Sequence, residues 1–286
     1  MSTHIEIGFS NNIYDNPGDV YESVSIIANT FRAIEIELEE KARPAVFDAT
    51  PADYERLISS LRELANARSL GYSVHAPWAA RATDLTAVDD DDRRASIDLL
   101  ARTVHFAADI GAKVVTCHPG YNHHQSQQQL VDRLVDSLNR VRDLAPDVNL
   151  DLCVETMGAQ RPAQTLLELE SQMDVCRRAG TWICADIPHV ASVFLEIPQL
   201  FDALRILTPL VRQVHLADMV PPSHRHLPIG QGSLPLEQIL EQMETLGYFG
   251  DAIVEEFNKG FSPDDYLSAA TAFRDRVRAG WCTTGA

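Results

Sequence analysis

The chain has 286 residues and a net charge of −17 at pH 7, from 41 acidic residues against 24 lysines and arginines. A field of that sign repels a polyanion unless metal ions or a local basic patch reverse it, so the composition disfavours nucleic acid as a partner. With 45% hydrophobic residues, the chain can bury the core of a globular protein. No run reaches the roughly 18 apolar residues of a membrane helix, so we expect no membrane association.

Five cysteines occur in the chain, and none forms a CxxC pair. Cys117, Cys153 and Cys184 lie in apolar, strand-like runs, where we expect buried free thiols. An odd number of cysteines, and an N-terminus at Met1–Phe9 without a basic region followed by a long apolar run, predict a protein of the reducing cytoplasm.

Short runs rich in β-branched residues alternate with longer, helix-like segments along the chain. The predicted strands lie near His4–Phe9, Ala33–Leu38, Ser73–His75, Lys113–Cys117, Asn149–Val154, Trp182–Ala185, Gln213–Leu216 and Ala252–Glu255. The main predicted helices between them are Pro51–Arg68, Arg93–Ile110, Ser126–Leu144, Ala163–Arg178, Pro198–Leu207, Leu234–Leu246 and Pro263–Arg278.

The helix-like segments have one apolar face each. In Tyr54–Leu64, for example, apolar residues recur every three or four positions, as one buried helix face requires. Ala87–Arg94 contains a run of aspartates, which is typical of a solvated helix start. Eight strand–helix units with nearly continuous apolar strands predict the α/β class and a single (β/α)8 TIM barrel over residues 1–286, with a peripheral tail at about 280–286. A doubly wound open sheet is the main competing fold.

Polar side chains end six consecutive predicted strands. These residues, with those of the following turns, are His75, His118, Glu155, Asp186, His189, His215, His224, His226 and Glu255. In a barrel of this type the carboxyl ends of the strands share one surface, where the chemistry gathers. A lone histidine closing a strand is more often a hydrogen-bonded core residue than a ligand. However, burying so many unpaired polar groups would be very unfavourable, so the joint pattern predicts a site for one or several divalent cations.

The motifs around these residues resemble those of the xylose isomerase-like barrel superfamily, from the first strand to the eighth. The matching motifs are His75-Ala-Pro, His118-Pro-Gly, Glu155-Thr, Asp186-x-x-His189, His215-Leu-x-Asp218, Arg225-His226-Leu-Pro-x-Gly230-x-Gly232 and Gly247-Tyr-Phe-Gly250 leading to Glu255. The superfamily includes sugar isomerases and epimerases, inosose dehydratases and the endonuclease IV branch of DNA repair (AP endonuclease family 2). These motifs are specific for the superfamily but do not separate its branches.

The resemblance to the epimerase branch implies an enzyme with one divalent ion. The matching ligands are Glu155, Asp186, His215 and Glu255. In that branch the two glutamates also exchange protons with carbons beside a carbonyl, on opposite sides of a sugar, polyol or related hydroxycarbonyl, with or without a phosphate. The ion polarises the carbonyl and stabilises an enediolate, and a glutamate of raised pKa takes and returns the proton. The resemblance also implies that a histidine matching His189 and an arginine near Arg225 bind substrate hydroxyls or phosphate. Dehydratase or aldolase-like chemistry could use the same enediolate.

The resemblance to the endonuclease branch implies three zinc ions and phosphodiester hydrolysis at abasic DNA. Eight of that branch's nine ligands match, at His75, His118, Glu155, Asp186, His189, His215, His226 and Glu255. The ninth is an aspartate in the family and His224 in this chain. The loops argue against this branch, because no segment matches its DNA-penetrating loops. In addition, the glutamates of Ile36–Glu40 place negative charge where a phosphate backbone would approach.

Three further residues have two interpretations each. Glu37 ends the second strand, either as a substrate contact or as a solvated carboxylate. Trp78 forms either a wall of the substrate pocket or part of the core. Asp218 either orients a ligand histidine or caps its loop.

The sequence therefore predicts a metal-dependent isomerase or epimerase that acts on a small sugar or polyol, with an abasic-site endonuclease as the alternative. A noncatalytic metal- or sugar-binding barrel is a third hypothesis, which the Glu155 and Glu255 pair disfavours. The expected ion is Zn²⁺ or Mn²⁺, with Co²⁺ or Mg²⁺ as further options, at one to three ions per chain. The sequence is also compatible with a homo-oligomer.

Overall fold

The fold is a closed barrel of eight parallel strands, paired in chain order from β1 to β8, with β8 pairing back onto β1. In the computed structural model of the chain, the residues described are 5–13, 20–38, 46–78, 83–121, 124–158, 167–194, 196–223, 225–255 and 260–284. The strands are β1 Glu6–Ser10, β2 Ala33–Glu37, β3 Gly71–His75, β4 Val114–Cys117, β5 Asp151–Glu155, β6 Trp182–Asp186, β7 Val211–Leu216 and β8 Asp251–Val254. The predicted (β/α)8 barrel is confirmed, and the open-sheet alternative is wrong.

Helices follow the strands around the barrel. Within the described ranges they are α1 Val20–Ile27, α2 Pro51–Arg68, α3 Asp90–Ile110, α4 Gln127–Leu144, α5 Leu169–Ala179, α6 Ile187–Val193, α7 Ile197–Leu207, α8 Leu236–Thr245 and α9 Pro263–Thr284. None of these helices is long and apolar enough to cross a membrane.

The largest departures of the helices from the prediction are at four places. The sequence reading did not identify α1, which follows an Asn-, Asp-, Pro- and Gly-rich segment, or the seven-residue α6, which begins directly at the end of β6. The helix predicted from Ala163 begins at Leu169, and residues 163–166 lie outside the described part of the chain. The last helix continues to Thr284 instead of ending at Arg278.

Side-chain caps explain where several helices begin. The Thr50 hydroxyl accepts a hydrogen bond from the backbone N–H of Asp53 at the start of α2. The Asp89 carboxylate accepts from the N–H groups of Asp91 and Asp92, so the aspartate run does begin a helix, α3. Each such cap is worth about 1 kcal/mol.

In strand β2 one face is apolar and packs in the core, whereas the other is polar and faces the barrel interior. Ile34 and Ile36 are fully buried in the apolar core. Glu35 and Glu37 alternate with them, so their side chains point to the opposite face of the strand. Glu35 contacts side chains of β7, which places this opposite face inside the barrel. The barrel interior is therefore polar toward the end where the predicted site lies.

Candidate metal centre

The strand register brings the predicted ligands to one level of the barrel. Asp186 at the end of β6 pairs directly with His215 of β7, and His215 pairs with Ile253 of β8, two residues before Glu255. Glu155 ends β5. These four ligand side chains are each at most 3% exposed, so the site is a buried cluster at the carboxyl ends of the strands.

Glu155 makes contacts to three histidines. Its Oε2 atom lies 3.0 Å from Nε2 of His75 and 3.1 Å from Nε2 of His118. Its Oε1 atom lies 3.0 Å from Nδ1 of His189. Burial disfavours the charged carboxylate, but the three imidazoles outweigh burial and hold the pKa of Glu155 well below its ordinary value. The expectation of a glutamate with a raised pKa is therefore wrong for Glu155.

The histidines around Glu155 differ in their own protonation. Burial lowers the pKa of His118. Burial acts in the same direction on His75, but its hydrogen bond to Glu155 and the charges of Glu155, Glu37 and Glu255 raise its pKa to about 10. Of these two histidines, His75 is therefore the one that holds its second proton more tightly beside the Glu155 carboxylate.

Asp186 both caps helix α6 and faces the cluster. Its Oδ1 atom accepts a 2.6 Å hydrogen bond from the backbone N–H of His189, which fixes that histidine one turn along. The His189 ring then donates from Nδ1 to the carbonyl of Thr156 over 2.8 Å. The Oδ2 atom of Asp186 is buried and makes no hydrogen bond to any described residue. Burial, together with the charges of Glu155 and Glu255, outweighs the charges of His189 and His215 and raises the pKa of Asp186 to about 7.

The imidazole of His215 and the carboxylate of Glu255 are in direct contact. Nδ1 of His215 lies 2.7 Å from Oε2 of Glu255. Neither atom makes a hydrogen bond of acceptable geometry within the described ranges. Burial raises the pKa of Glu255, but the charge of His215 outweighs it and lowers the pKa to about 2. The pair therefore brings an imidazole nitrogen of His215 and an ionised carboxylate oxygen of Glu255 close together.

These donors fit a divalent ion. Glu155, Asp186, His215 and Glu255 each offer one ligand atom within 4.8 Å of the others. Buried atoms of three of them lack hydrogen bonds among the described residues, which a bound cation would satisfy. Carboxylate oxygens and imidazole nitrogens are ligands that Zn²⁺ and Mn²⁺ both accept.

Further histidines extend the cluster. The other groups close enough to hold an ion are His75, His118 and Glu155; His75, His215 and Glu255; and Asp186, His189 and His226. The structure thus brings together all the predicted ligands except His224, which lies outside the described residues.

Asp218 shapes the loop that carries His226. Its carboxylate accepts hydrogen bonds from the backbone N–H groups of Met219, Gly230 and Leu234. Of its two predicted roles, the structure therefore supports loop capping. Nδ1 of His226 lies 3.3 Å from the carbonyl oxygen of Glu255, so the capped loop brings this histidine to the end of β8.

Trp78 and Glu37 form one wall beside the cluster. The indole N–H of Trp78 donates to Oε1 of Glu37 over 2.5 Å, and its ring stacks on His118 with centroids 5.7 Å apart. Glu37 is buried, so it is not a solvated carboxylate. The fourth predicted substrate contact, Arg225, is exposed in the loop after β7.

Sequence reasoning missed Glu35 and Gln213, which lie inside the barrel in contact with His215. A signal for Glu35 was available in the printed sequence. The run Ile34-Glu35-Ile36-Glu37 alternates strictly, so Glu35 must share the interior face with Glu37.

The protein is a closed (β/α)8 barrel with a buried imidazole–carboxylate cluster at the carboxyl ends of its strands, the face at which such barrels carry their active sites. The comparison with protein families agrees with this architecture. The chain belongs to the xylose isomerase-like TIM barrel family, whose model matches residues 26–276.

Two curated relatives represent different branches. The chain is 24% identical over 195 residues to a probable endonuclease 4 of Mycoplasma pneumoniae, covering 63% of this chain and 66% of that protein. It is 21% identical over 259 residues to the L-ribulose-5-phosphate 3-epimerase UlaE of Salmonella paratyphi B, covering 89% of this chain and 87% of that protein.

Solved structures share the fold at low sequence identity. A D-tagatose 3-epimerase-like protein aligns with a TM-score of 0.76 at 20% identity, over 96% of this chain and 98% of that one. The D-psicose 3-epimerase of Clostridium cellulolyticum H10, solved with D-tagatose, aligns with a TM-score of 0.76 at 16% identity, over 96% and 99%. At these identities the likeness shows the fold alone.

Proposed function

We propose that this protein is a divalent-metal-dependent epimerase or isomerase of a sugar, polyol or related hydroxycarbonyl. The observation that carries the proposal is the convergence of four buried ligand atoms, two of them from the glutamates Glu155 and Glu255. The sugar 3-epimerases among the structural neighbours and the UlaE relative support this branch.

The ion would be held by Glu155, Asp186, His215 and Glu255. When bound, a divalent ion polarises a carbonyl group and so acidifies the C–H bond beside it. The low pKa values of Glu155 and Glu255 keep both carboxylates ionised at neutral pH. One carboxylate would take the proton from carbon. The other, protonated from solvent before this step, would give its proton to the opposite face of the same carbon, and the first would then release its proton to solvent.

The residues at the mouth would bind and orient the sugar. His189 is fixed by Asp186 and by the Thr156 carbonyl, and Trp78 with Glu37 forms a rigid wall beside His118. We assign substrate hydroxyls to His189 and Glu37, and the apolar face of the sugar ring or chain to Trp78. Arg225 would contact the substrate, or its phosphate, from the exposed loop. The cytoplasmic location and the homo-oligomer remain predictions from the sequence.

The proposal is tested by incubating the Mn²⁺-loaded protein with a panel of ketopentoses, ketohexoses and their phosphates. We expect one or more of these to be converted into an epimer or an aldose, as followed by chromatography and ¹³C NMR. Full metal loading without conversion of any sugar on the panel would contradict the proposal.

A second candidate is an endonuclease-like hydrolase at abasic DNA. It is favoured by the additional ligand groups around His118 and His226 and by the probable endonuclease 4 relative. The net charge of −17 and the histidine at position 224 argue against it. Incision of an abasic duplex by the wild type, and its loss in Glu155→Gln, would favour this candidate over the first.

A further inference from the structure

Glu35 is a fully buried carboxylate in the middle of strand β2. It lies two residues before the carboxyl end of its strand, deeper in the barrel than the strand-end ligands. The groups of side chains able to hold an ion, among the described residues, do not include it. Its position therefore needs an explanation other than direct metal ligation.

Three side chains surround the Glu35 carboxylate. Its Oε1 and Oε2 atoms lie 3.2 Å and 3.3 Å from Nε2 of His215. Oε2 also accepts hydrogen bonds from the side-chain amide of Gln213 and, over 3.5 Å, from the hydroxyl of Ser73. All four of these side chains are buried, so the arrangement is a packed polar network inside the barrel and not a surface contact.

The two nitrogens of His215 face different partners. Nε2 faces Glu35 and also lies 3.1 Å from the side-chain amide nitrogen of Gln213, which itself donates to Glu35. Nδ1 lies 2.7 Å from Oε2 of Glu255, on the side of the four-ligand group. A neutral imidazole carries its proton on one nitrogen and a lone pair on the other. An acceptor at Nε2 keeps the proton there and leaves the Nδ1 lone pair for a metal ion.

We propose that Glu35 is a positioning residue that holds the Nε2–H of His215 and thereby directs Nδ1 of that ring to the ion. The inference rests on the metal site of the proposed function, although not on the identity of its substrate. Gln213 and Ser73 contribute by fixing the Glu35 carboxylate, since each donates to it from a neighbouring position in the barrel.

Metal titration separates this role from a general contribution to packing. Metal-free wild type, Glu35→Gln and Glu37→Gln are each titrated with Mn²⁺ by calorimetry. Glu37→Gln is the matched control, because it makes the same change two residues along the same strand, at a buried carboxylate that contacts Trp78. We expect Glu35→Gln to weaken Mn²⁺ binding about 10- to 100-fold and Glu37→Gln to change it less than about threefold.

The possible results are distinguishable. Equal Mn²⁺ affinity in the wild type and in Glu35→Gln would overturn the role of Glu35, and so would equal weakening in both variants. Absence of Mn²⁺ binding to the wild type would instead overturn the metal site itself. Circular dichroism of each variant shows whether it is folded.

A spectroscopic measurement on the wild type does not depend on how the Glu35 and Glu37 variants fold. Long-range ¹H–¹⁵N correlation spectra of the Zn²⁺-loaded protein distinguish a histidine ligated through Nδ1 from one ligated through Nε2. We expect His215, assigned by the loss of its signals in His215→Gln, to be ligated through Nδ1 and protonated at Nε2. Ligation of His215 through Nε2 would overturn the inference.

Discussion

Nδ1 of His215 and Oε2 of Glu255 lie 2.7 Å apart, and neither makes a hydrogen bond of acceptable geometry within the described part of the chain. Two buried polar atoms that approach the same point are the arrangement expected of two ligands of one cation. His215 lies in β7 and Glu255 directly follows β8. These two strands are paired neighbours, so the strand register of the barrel brings the two side chains together.

Metal binding should stabilise the fold. At a free Mn²⁺ concentration of about 100 times its Kd, linkage predicts about 2.7 kcal/mol of added stability. For a chain of this size that corresponds to a rise in Tm of about 4–5 °C, measurable by differential scanning fluorimetry with and without chelator. Asp186→Asn should lose most of the rise, whereas Asp202→Asn, an exposed change in α7, should keep it. The same rise in both variants would place the ion elsewhere.

Metal affinity should fall as the pH is lowered below neutral. The pKa of Asp186 is raised to about 7 by burial, so this carboxyl group is protonated in the metal-free protein at pH 6 and must lose its proton to bind an ion. Displacement of the Asp186 proton should raise the Kd for Mn²⁺ about tenfold between pH 8 and pH 6. Calorimetry in buffers of different ionisation enthalpy gives the number of protons released. A Kd independent of pH would contradict this account of Asp186.

Asp251→Asn should stabilise the protein at neutral pH. Burial, with the charge of Glu6, raises the pKa of Asp251 to about 6. A carboxyl group with a raised folded-state pKa favours folding at low pH, and this contribution is lost as the pH rises from about 4 to about 6. The substitution should therefore increase the free energy of unfolding at pH 7 by about 1–2 kcal/mol, allowing for partial exposure of the side chain. Urea unfolding at pH 7 and pH 4 should show the gain at pH 7 and little difference at pH 4.

Asp218→Ala should destabilise the loop after β7. Three backbone N–H groups, of Met219, Gly230 and Leu234, would lose their shared acceptor, and unsatisfied buried donors cost about 1–3 kcal/mol each. We expect a loss of about 2–4 kcal/mol in urea unfolding, because water reaches part of the loop. Asp218→Asn keeps one acceptor oxygen and should lose less. Wild-type stability in Asp218→Ala would show that the carboxylate does not cap the loop.

The strand-end ligands could be predicted because each ends an apolar run in the sequence. His118 after β4 and Glu155 at the end of β5 are visible in this way, and the structure brings both to the cluster. Glu35 was harder to assign because it lies inside its strand, and its partner His215 is 180 residues away along the chain. Only the closure of the barrel brings these two side chains together.

The electrostatics could not be predicted from sequence. The epimerase-like mechanism implied a glutamate of raised pKa, but Glu155 contacts His75, His118 and His189, which come from three different parts of the chain. Asp186 has the raised pKa instead, because it has fewer compensating contacts. Which carboxyl group is compensated depends on the packed geometry.

The most direct test of the proposed epimerase is exchange of a carbon-bound hydrogen with solvent. The Mn²⁺-loaded protein is incubated in deuterated water with the sugar that it converts, and deuterium incorporation beside the carbonyl is followed by NMR. The account predicts incorporation that requires the ion and is lost in Glu155→Gln and in Glu255→Gln. Incorporation that persists without metal, or that is unchanged in both variants, would contradict the assignment of this cluster as the catalytic site.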